Sequence, residues 1–373
     1  MVVDLLGTTL EGGGQLLRLA VGLSALTGTP VRITDIRGNR SGPRGIKGQH
    51  LSAVRWLADA CSARVEGDAK GSRELLFRPK THVRLTSVPP IDIGSPGSVT
   101  LVFQALLPFI LFASENHAAL TIHGGTNVSN SPSIDYVTHV LVPMLHLIGL
   151  PPLTVRLHRR GWSTGRNEVG EVTFGITPLA RDESLPAFTL VERGEVVRVL
   201  TRIVAPSSTA RMFTTELAPA LGRAFPGIPV DEAFEDSRHP KRLYLLLIAV
   251  TSTGCRLGRD WLFDRKATGE VAVAAMVKCV VKELSSELAH GGCVDEHMHD
   301  QLVVFQAVAR GRSAVSAGAE SLHTQTAKWV AWEVAGVDFD DDTCEGVALV
   351  AGDVKRGVME ELEEELQSVS LAA

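Results

Sequence analysis

Apolar and polar positions along the chain change rhythm in a recurring order. "GGGQLLRLAVGLSALTG" carries apolar residues at helical spacing and closes on glycine, and "TPVRITDIRG" after it alternates like a half-buried strand. A polar, glycine-rich loop follows, then the helical "QHLSAVRWLADAC". The same order returns as "GSVTLVFQALLPFILFA", "HAALTIHGG", "TNVSNSPS" and "IDYVTHVLVPMLHLIGL". It returns again as "DQLVVFQAVARG", "SAVSAG", "AESLH" and "TQTAKWVAWEVAG". Each copy predicts helix, turn, strand, polar loop and helix, and the first two lie about 85 residues apart. "GGGQLL", "GSVTLV" and "MHDQLV" are expected at the start of each copy's first helix. Asp300 and Gln301 then fall at a helix N-cap, and His323 falls directly before a helix that Thr324 and Thr326 can cap.

The stretch between the second and third copies has its own pattern. "FTTELAPALGRAFPG" reads as a helix ended by Pro-Gly, and "RLYLLLIAVTSTGC" as a buried strand followed by a turn. The expected organisation is α/β (α+β). A large discontinuous domain of three repeats covers residues 1–184 and 281–373, and a small inserted α/β domain covers 185–280. The apolar run "LVFQALLPFILFA" is broken by Gln104 and Pro108 and is too short to span a bilayer, so it predicts a buried helix. The acidic "DFDDDT" predicts a solvated loop, and "MEELEEELQ" an exposed terminal helix.

Composition narrows the function classes. The 373 residues are 45% hydrophobic and 21% charged, as in an ordinary globular protein. A net charge of −5 offers no global attraction to nucleic acid or an anionic membrane, so a nucleic-acid partner needs a local basic patch. "RITDIRGNRSGPRGIKGQH" offers one, with Arg32, Arg37, Arg40, Arg44 and Lys47 against Asp35; a solvated loop is the alternative. Five scattered cysteines without a C-x-x-C suit a reducing compartment, and no signal peptide is visible. A nuclear or cytosolic protein is expected, with no membrane partner and no requirement for DNA.

Glycine- and serine-rich loops at helix starts present unpaired N–H groups and a positive dipole end, which favour a phosphate. No P-loop motif and no K-x-D-G is present. In "LEGGGQLLR", Glu11 can bind Mg²⁺ beside phosphate and Arg18 can neutralise phosphate charge; a surface carboxylate and a surface arginine are the alternative. His290, Cys293, His297 and His299 are spaced loosely like zinc ligands but complete no closed set. At a helix start, the positive dipole holds the His323 imidazole neutral and nucleophilic beside a bound phosphate, so a phosphoramidate on His323 is chemically sensible; a histidine satisfied by a backbone carbonyl is the alternative.

Taken together and in this order, "EGGGQLLR", "HGGTNVSNSPSIDY", "STGC", "HGGCVDEHMHDQLVVFQAVA" and "LHTQTAKWVA" resemble the RNA 3′-terminal phosphate cyclases, from Leu10 to about Phe339. The resemblance implies three repeats like the C-terminal domain of bacterial translation initiation factor three, with a small insert. It implies ATP and Mg²⁺ or Mn²⁺ as cofactors, and as substrate an RNA with a 3′-phosphate, which is converted to a 2′,3′-cyclic phosphodiester through histidine–AMP and RNA–adenylate intermediates. On this resemblance His323 is the nucleophile, and Glu11 the metal-binding glutamate. Arg18, Arg37, Arg40, Gln49 and His50 form the polar set around phosphate and RNA. Gln104, Pro132, Asp300 and Gln301 belong to the nucleotide pocket, and His297 stands where the family often has a tyrosine against adenine. Two features depart from the pattern. The loop "GNRSGPRGIKGQH" is one residue longer, so the pattern does not fix the places of Arg44 and Lys47. "GWSTGRNEVGEV" has lost part of a "GGGEV" stretch, and Glu168 puts negative charge where RNA phosphate would run. A non-catalytic relative in ribosome biogenesis, an enolpyruvyl-type transferase and a 2′,3′-cyclic phosphoesterase are the competing classes. The first two lack the histidine, and the third needs two H-x-[ST] motifs, where "HTQT" has Gln325.

Overall fold

The computed structural model describes residues 1–80, 85–164, 167–263, 265 and 269–351. Its first unit runs β1 (Val3–Leu6), α1 (Gly14–Thr27), β2 (Val31–Thr34), α2 (Gly48–Ala60), β3 (Arg64–Glu66) and β4 (Leu75–Arg78). The second runs β5 (Ile91–Asp92), α3 (Val99–Ala113), β6 (Ala118–Gly124) and α4 (Ile134–Tyr136), which passes through a π-helical turn into α5 (Val142–Leu147), then β7 (Leu153–Arg159) and β8 (Gly170–Ile176). The third opens with β9 (Thr189–Leu190). An insertion follows: β10 (Val196–Ala205), α6 (Ala210–Ala224), β11 (Val230–Asp236), β12 (Tyr244–Thr251), β13 (Arg256–Leu262) and α7 (Gly269–Ala289). The unit then resumes with α8 (Glu296–Val308), β14 (Arg310–Val315), α9 (Leu322–Ala335), β15 (Phe339–Asp340) and β16 (Thr343–Val347).

The recurrence in the pattern is a recurrence in topology. The three sheets are ordered β1-β2-β4-β3, β5-β6-β8-β7 and β9-β14-β16-β15. In each, the first strand pairs parallel with the second, and the second antiparallel with the last. Each unit is therefore β-α-β-α-β-β. The periodicity shows the inner helix–strand–helix; the leading strands β5 and β9 and the hairpin strand β15 are two residues long, too short to alternate. In β6 buried and exposed positions alternate, so this sheet packs one face inward. Helices from different units meet one another: α1 packs on α3 and α9, and α8 on α3 and α9. This brings the beginnings of helices from separate units together.

The insertion forms its own sheet, β11-β10-β12-β13, with α7 packed on β12, β13 and α6. Two element limits differ from the boundaries 185–280. Thr189–Leu190 pairs with β14 in the third sheet, and α7 continues to Ala289 because its apolar face stays on the inserted sheet.

Capping decides several local differences. Asp295, not Asp300, caps α8, its carboxylate accepting from the N–H groups of His297 and Met298 at 3.0 and 2.9 Å. Asp300 and Gln301 thus lie within the helix, so "MHDQLV" starts inside α8 and not at its end. Ser321 caps α9, which places His323 in the first helical turn; Thr324 and Thr326 are buried within the helix. The helix stops at Gly336, left-handed at φ 69°. "DFDDDT" is the β15–β16 hairpin, and Asp342 in it accepts from His299 and Lys328 at 2.8 and 2.7 Å instead of facing solvent alone. "MEELEEELQ" lies outside the described residues. Among the described residues, no helix is long and apolar enough to cross a membrane.

Candidate active site

A cleft of about 810 Å³ opens where the starts of α1, α2, α8 and α9 converge on the loop 127–133 and on β13. Its lining includes the twelve residues that the resemblance assigns to the site: Glu11, Arg18, Arg37, Arg40, Gln49, His50, Gln104, Pro132, His297, Asp300, Gln301 and His323.

The "EGGGQ" turn is shaped by what must approach it. Gly12 adopts φ 59°, a left-handed conformation that favours glycine. At Gly14 a Cβ would lie 2.5 Å from Nε2 of His50, so only glycine lets that imidazole reach the first turn of α1. Glu11 accepts from the Gly13 N–H at 2.6 Å and forms an ion pair with Arg40. The Glu11 N–H donates to Thr326 Oγ1 at 3.2 Å, stitching this turn to α9.

His323 is oriented by a side-chain relay. Its Nδ1 lies 2.7 Å from Gln15 Oε1, and Gln15 Nε2 donates to Asp300 Oδ2 at 2.6 Å. Gln301 Nε2 donates to the other Asp300 oxygen, also at 2.6 Å. A carboxylate only accepts, so Asp300 sets which end of the Gln15 amide faces histidine. The amide oxygen then demands the proton on Nδ1, which leaves the Nε2 lone pair for an electrophile. Asp300 is buried, and burial raises its pKa.

His323 is open to the cleft, yet its pKa is lowered, first by desolvation and then by Arg18, Arg40 and His297, with Asp300 opposing. Desolvation and the flanking guanidinium groups act in the same direction as the helix dipole. A neutral imidazole is the nucleophilic form, so the depressed pKa keeps the Nε2 lone pair free below the ordinary imidazole value. Reaction at His323 is expected to be lost only as pH falls through that lowered pKa. Arg40→Ala removes a depressing charge and should move the acid limb to higher pH, whereas Asp300→Asn should move it lower; pH profiles of covalent labelling check both.

A second imidazole is held differently. His50 is 2% exposed, and its pKa lies well below the ordinary range through burial and then Arg18, Arg37 and Lys47. Its Nδ1 accepts from the Lys47 N–H at 3.4 Å, so the proton is on Nε2, toward Gly14. Arg18 makes no hydrogen bond or ion pair among the described residues; burial pushes it down to about 10, still a cation at neutral pH. Gln104 Nε2 is buried without a partner among the described residues. An NεH donor, a desolvated arginine and the first N–H groups of α1 thus share one corner, a suitable cradle for phosphate oxygens.

The other named residues divide by task. Gln49 accepts from the Ser98 N–H at 2.8 Å and ties α2 to the second unit. Arg37 is buried and donates to the carbonyls of Pro43 and Gly45 at 2.5 and 3.3 Å, so it shapes the basic loop from inside. Lys47 lines the cleft and Arg44 does not. Thr100 donates to the Pro132 carbonyl at 2.7 Å, fixing the loop that carries Pro132. Glu168 pairs with Arg242 at 2.7 Å, so its charge is answered within the protein.

A family model described as "RNA 3'-terminal phosphate cyclase" matches residues 9–340. The chain belongs to the RNA 3′-terminal phosphate cyclase family. A curated relative of that name from Staphylothermus marinus is 35% identical over 337 residues, covering 87% of this chain and 90% of that protein. One from Thermococcus sibiricus is 33% identical over 345 residues, covering 91% and 94%. A "Probable RNA 3'-terminal phosphate cyclase" from Dictyostelium discoideum is 30% identical over 347 residues, covering 89% and 76%.

Within this cyclase-family chain the zinc reading has no support. His290 bonds Glu287, His299 bonds Asp342 and His297 meets Arg259, and no cluster of three metal-ligating side chains exists among the described residues. For Mg²⁺ or Mn²⁺ the fit is of another kind, because such ions are often held by one carboxylate with substrate phosphates and waters. Glu11 supplies that carboxylate beside the phosphate cradle, and a cation there would exchange with Arg40. Gln15 is the residue the sequence reading passed over. It stood in the quoted "GGGQ", three positions before Arg18 and so on the same helix face.

Proposed function

We propose that the protein uses ATP to convert an RNA 3′-terminal phosphate into a 2′,3′-cyclic phosphodiester through a covalent histidine–AMP. The observation that carries this is the Asp300–Gln15–His323 relay, which leaves Nε2 with its lone pair next to Arg18 and Arg40. Nε2 attacks the α-phosphorus; a P–N bond forms, the bond to the bridging oxygen breaks, and pyrophosphate leaves with that oxygen's electron pair. The RNA 3′-phosphate then takes AMP from Nε2, giving an RNA adenylate. Attack by the neighbouring 2′-hydroxyl closes the cycle and releases AMP.

Arg18 offsets the negative charge that builds on the α-phosphate, and the His50 NεH donates into the same region. Asp300 and Gln15 hold the Nδ1 proton of His323. A divalent cation at Glu11, when bound, would withdraw charge from phosphate oxygens. The reading is tested by incubating the full chain with α-labelled ATP. An acid-labile labelled protein with release of pyrophosphate is expected; no adduct would favour a non-catalytic member that binds RNA or protein.

RNA is expected along Arg40 and Lys47. Two neutralised phosphates of a single strand imply a slope of about −1.4 in log K against log salt. Lys47→Glu should raise the KM for 3′-phosphorylated RNA and flatten that slope, while self-labelling by ATP alone persists. Loss of self-labelling would assign Lys47 to the triphosphate instead.

A further inference from the structure

We propose that Asp260, brought into the cleft by the inserted unit, selects the base of the nucleoside triphosphate by accepting the exocyclic amine of adenine. The proposal rests on the nucleotide reading given above and adds the group that recognises the base.

The inserted sheet presents its edge strand, β13, to the cleft. This edge is fastened to α8. The Gly258 N–H donates to Asp295 Oδ2 at 2.7 Å, and the Tyr136 hydroxyl donates to Asp295 Oδ1 at 2.6 Å. Asp295 is fully buried and caps α8, so the second unit, the insertion and α8 meet on one carboxylate. The neighbouring Arg259 lies 3.2 Å from His297 Nε2 and donates to Glu296 at 2.8 Å and to Glu287. An arginine can only donate, so Nε2 of His297 accepts and the ring is held by the insertion.

Asp260 comes next on β13 and is tied to the opposite wall. It accepts from the Tyr244 hydroxyl at 2.8 Å, and that hydroxyl contacts Ser133, the residue after Pro132. Since Tyr244 gives its proton to Asp260, Ser133 gives its own to Tyr244. The carboxyl is thereby linked to two residues that the resemblance assigns to the nucleotide pocket and that line the same cleft, Pro132 through Ser133 and His297 through the adjacent Arg259. A planar base between those two residues turns an edge toward Asp260.

The remaining valences decide which edge fits. One Asp260 oxygen already accepts from Tyr244, which leaves the other as the freer acceptor for a ligand N–H. The other oxygen takes a single N–H. The amine of adenine supplies it, whereas a 6-oxo base sets a carbonyl oxygen against a carboxylate. Sites built around such a contact reject analogues lacking the donor, because the acceptor is left unpaired.

The experiment is self-labelling of the full chain, without RNA, by ATP, by purine riboside triphosphate (which lacks only the amine) and by inosine triphosphate. The wild-type protein should prefer ATP by about ten- to hundredfold in rate over KM, as a hydrogen bond to a charged acceptor predicts. Asp260→Ala should erase that preference while labelling by purine riboside triphosphate continues, which also reports a folded site. Asp260→Asn, whose amide can turn its N–H₂ toward a carbonyl, should gain on inosine triphosphate. Equal use of the three nucleotides by wild type overturns the proposal, as does an Asp260→Ala loss that is the same for all of them. Absence of label from every nucleotide sinks the proposed function itself, whereas labelling without discrimination sinks only the role of Asp260.

Discussion

His323→Ala is expected to take up no AMP from labelled ATP. The lost group is the proposed nucleophile, and no other side chain of the relay offers a lone pair on nitrogen: Gln15 is an amide and Asp300 is a buried carboxyl already engaged by two amides. Removing a nucleophile commonly costs several orders of magnitude, so labelling should fall below detection. The fold should survive, because His323 is open to the cleft in a helix capped by Ser321 and ended by Gly336, neither of which changes. Thermal unfolding close to wild type beside absent labelling is the expected pair of results. A labelled His323→Ala protein would place the nucleophile elsewhere.

Arg18→Ala should slow self-labelling by about thirtyfold or more, equivalent to about 2 kcal/mol of transition-state stabilisation. Two effects add. The charge that meets the developing negative phosphate is gone, and one cation that depresses the His323 pKa is gone with it. The second effect makes the loss larger at low pH, so the acid limb of the profile should move upward. Arg18→Lys keeps the charge but not the planar fork, and should recover part of the rate. A uniform loss at every pH that lysine does not repair, with lowered thermal stability, would reduce Arg18 to a structural residue.

Much of the architecture was legible because it rests on local rules. Period-3.6 and period-2 segments repeat in order, and the helices α1, α3 and α9 lie where that rhythm predicts them. The two-residue strands could not show, since alternation needs more residues than they have. Nor could the cap of α8: "CVDEHMHDQ" offers Asp295 and Asp300 alike, and only the fold buries Asp295 among the Gly258 N–H, the Tyr136 hydroxyl and the N–H groups of its own helix. The acidic "DFDDDT" looked solvated because a sequence shows no partners; His299 and Lys328 arrive at Asp342 from α8 and α9.

The candidate site divides in the same way. Residue types and their order along the chain pointed to Glu11, Arg18 and His323, since phosphate chemistry favours glycine-rich helix starts, an arginine and a histidine; the other residues assigned to the cleft followed from the family resemblance. Their tasks were decided across long separations. The contact of Gln15 with His323 spans 308 positions, and that of Gln15 with Asp300 spans 285. A hydrogen-bond direction, and with it the tautomer of a nucleophile, depends on atoms placed within a few tenths of an ångström by packing of α1 against α9. Exposed Arg44 and buried Arg37 look equivalent in one basic loop, yet Arg37 turns inward onto carbonyls while Arg44 stays outside the cleft. What the sequence by itself determined was the repeated pattern and the residue types available for phosphate chemistry, because periodicity and residue type are local properties. Which of them are neutral, which are paired, and that a strand of the insertion borders the cleft were decided only by tertiary structure, because burial, charge proximity and donor direction exist only between segments far apart in the chain.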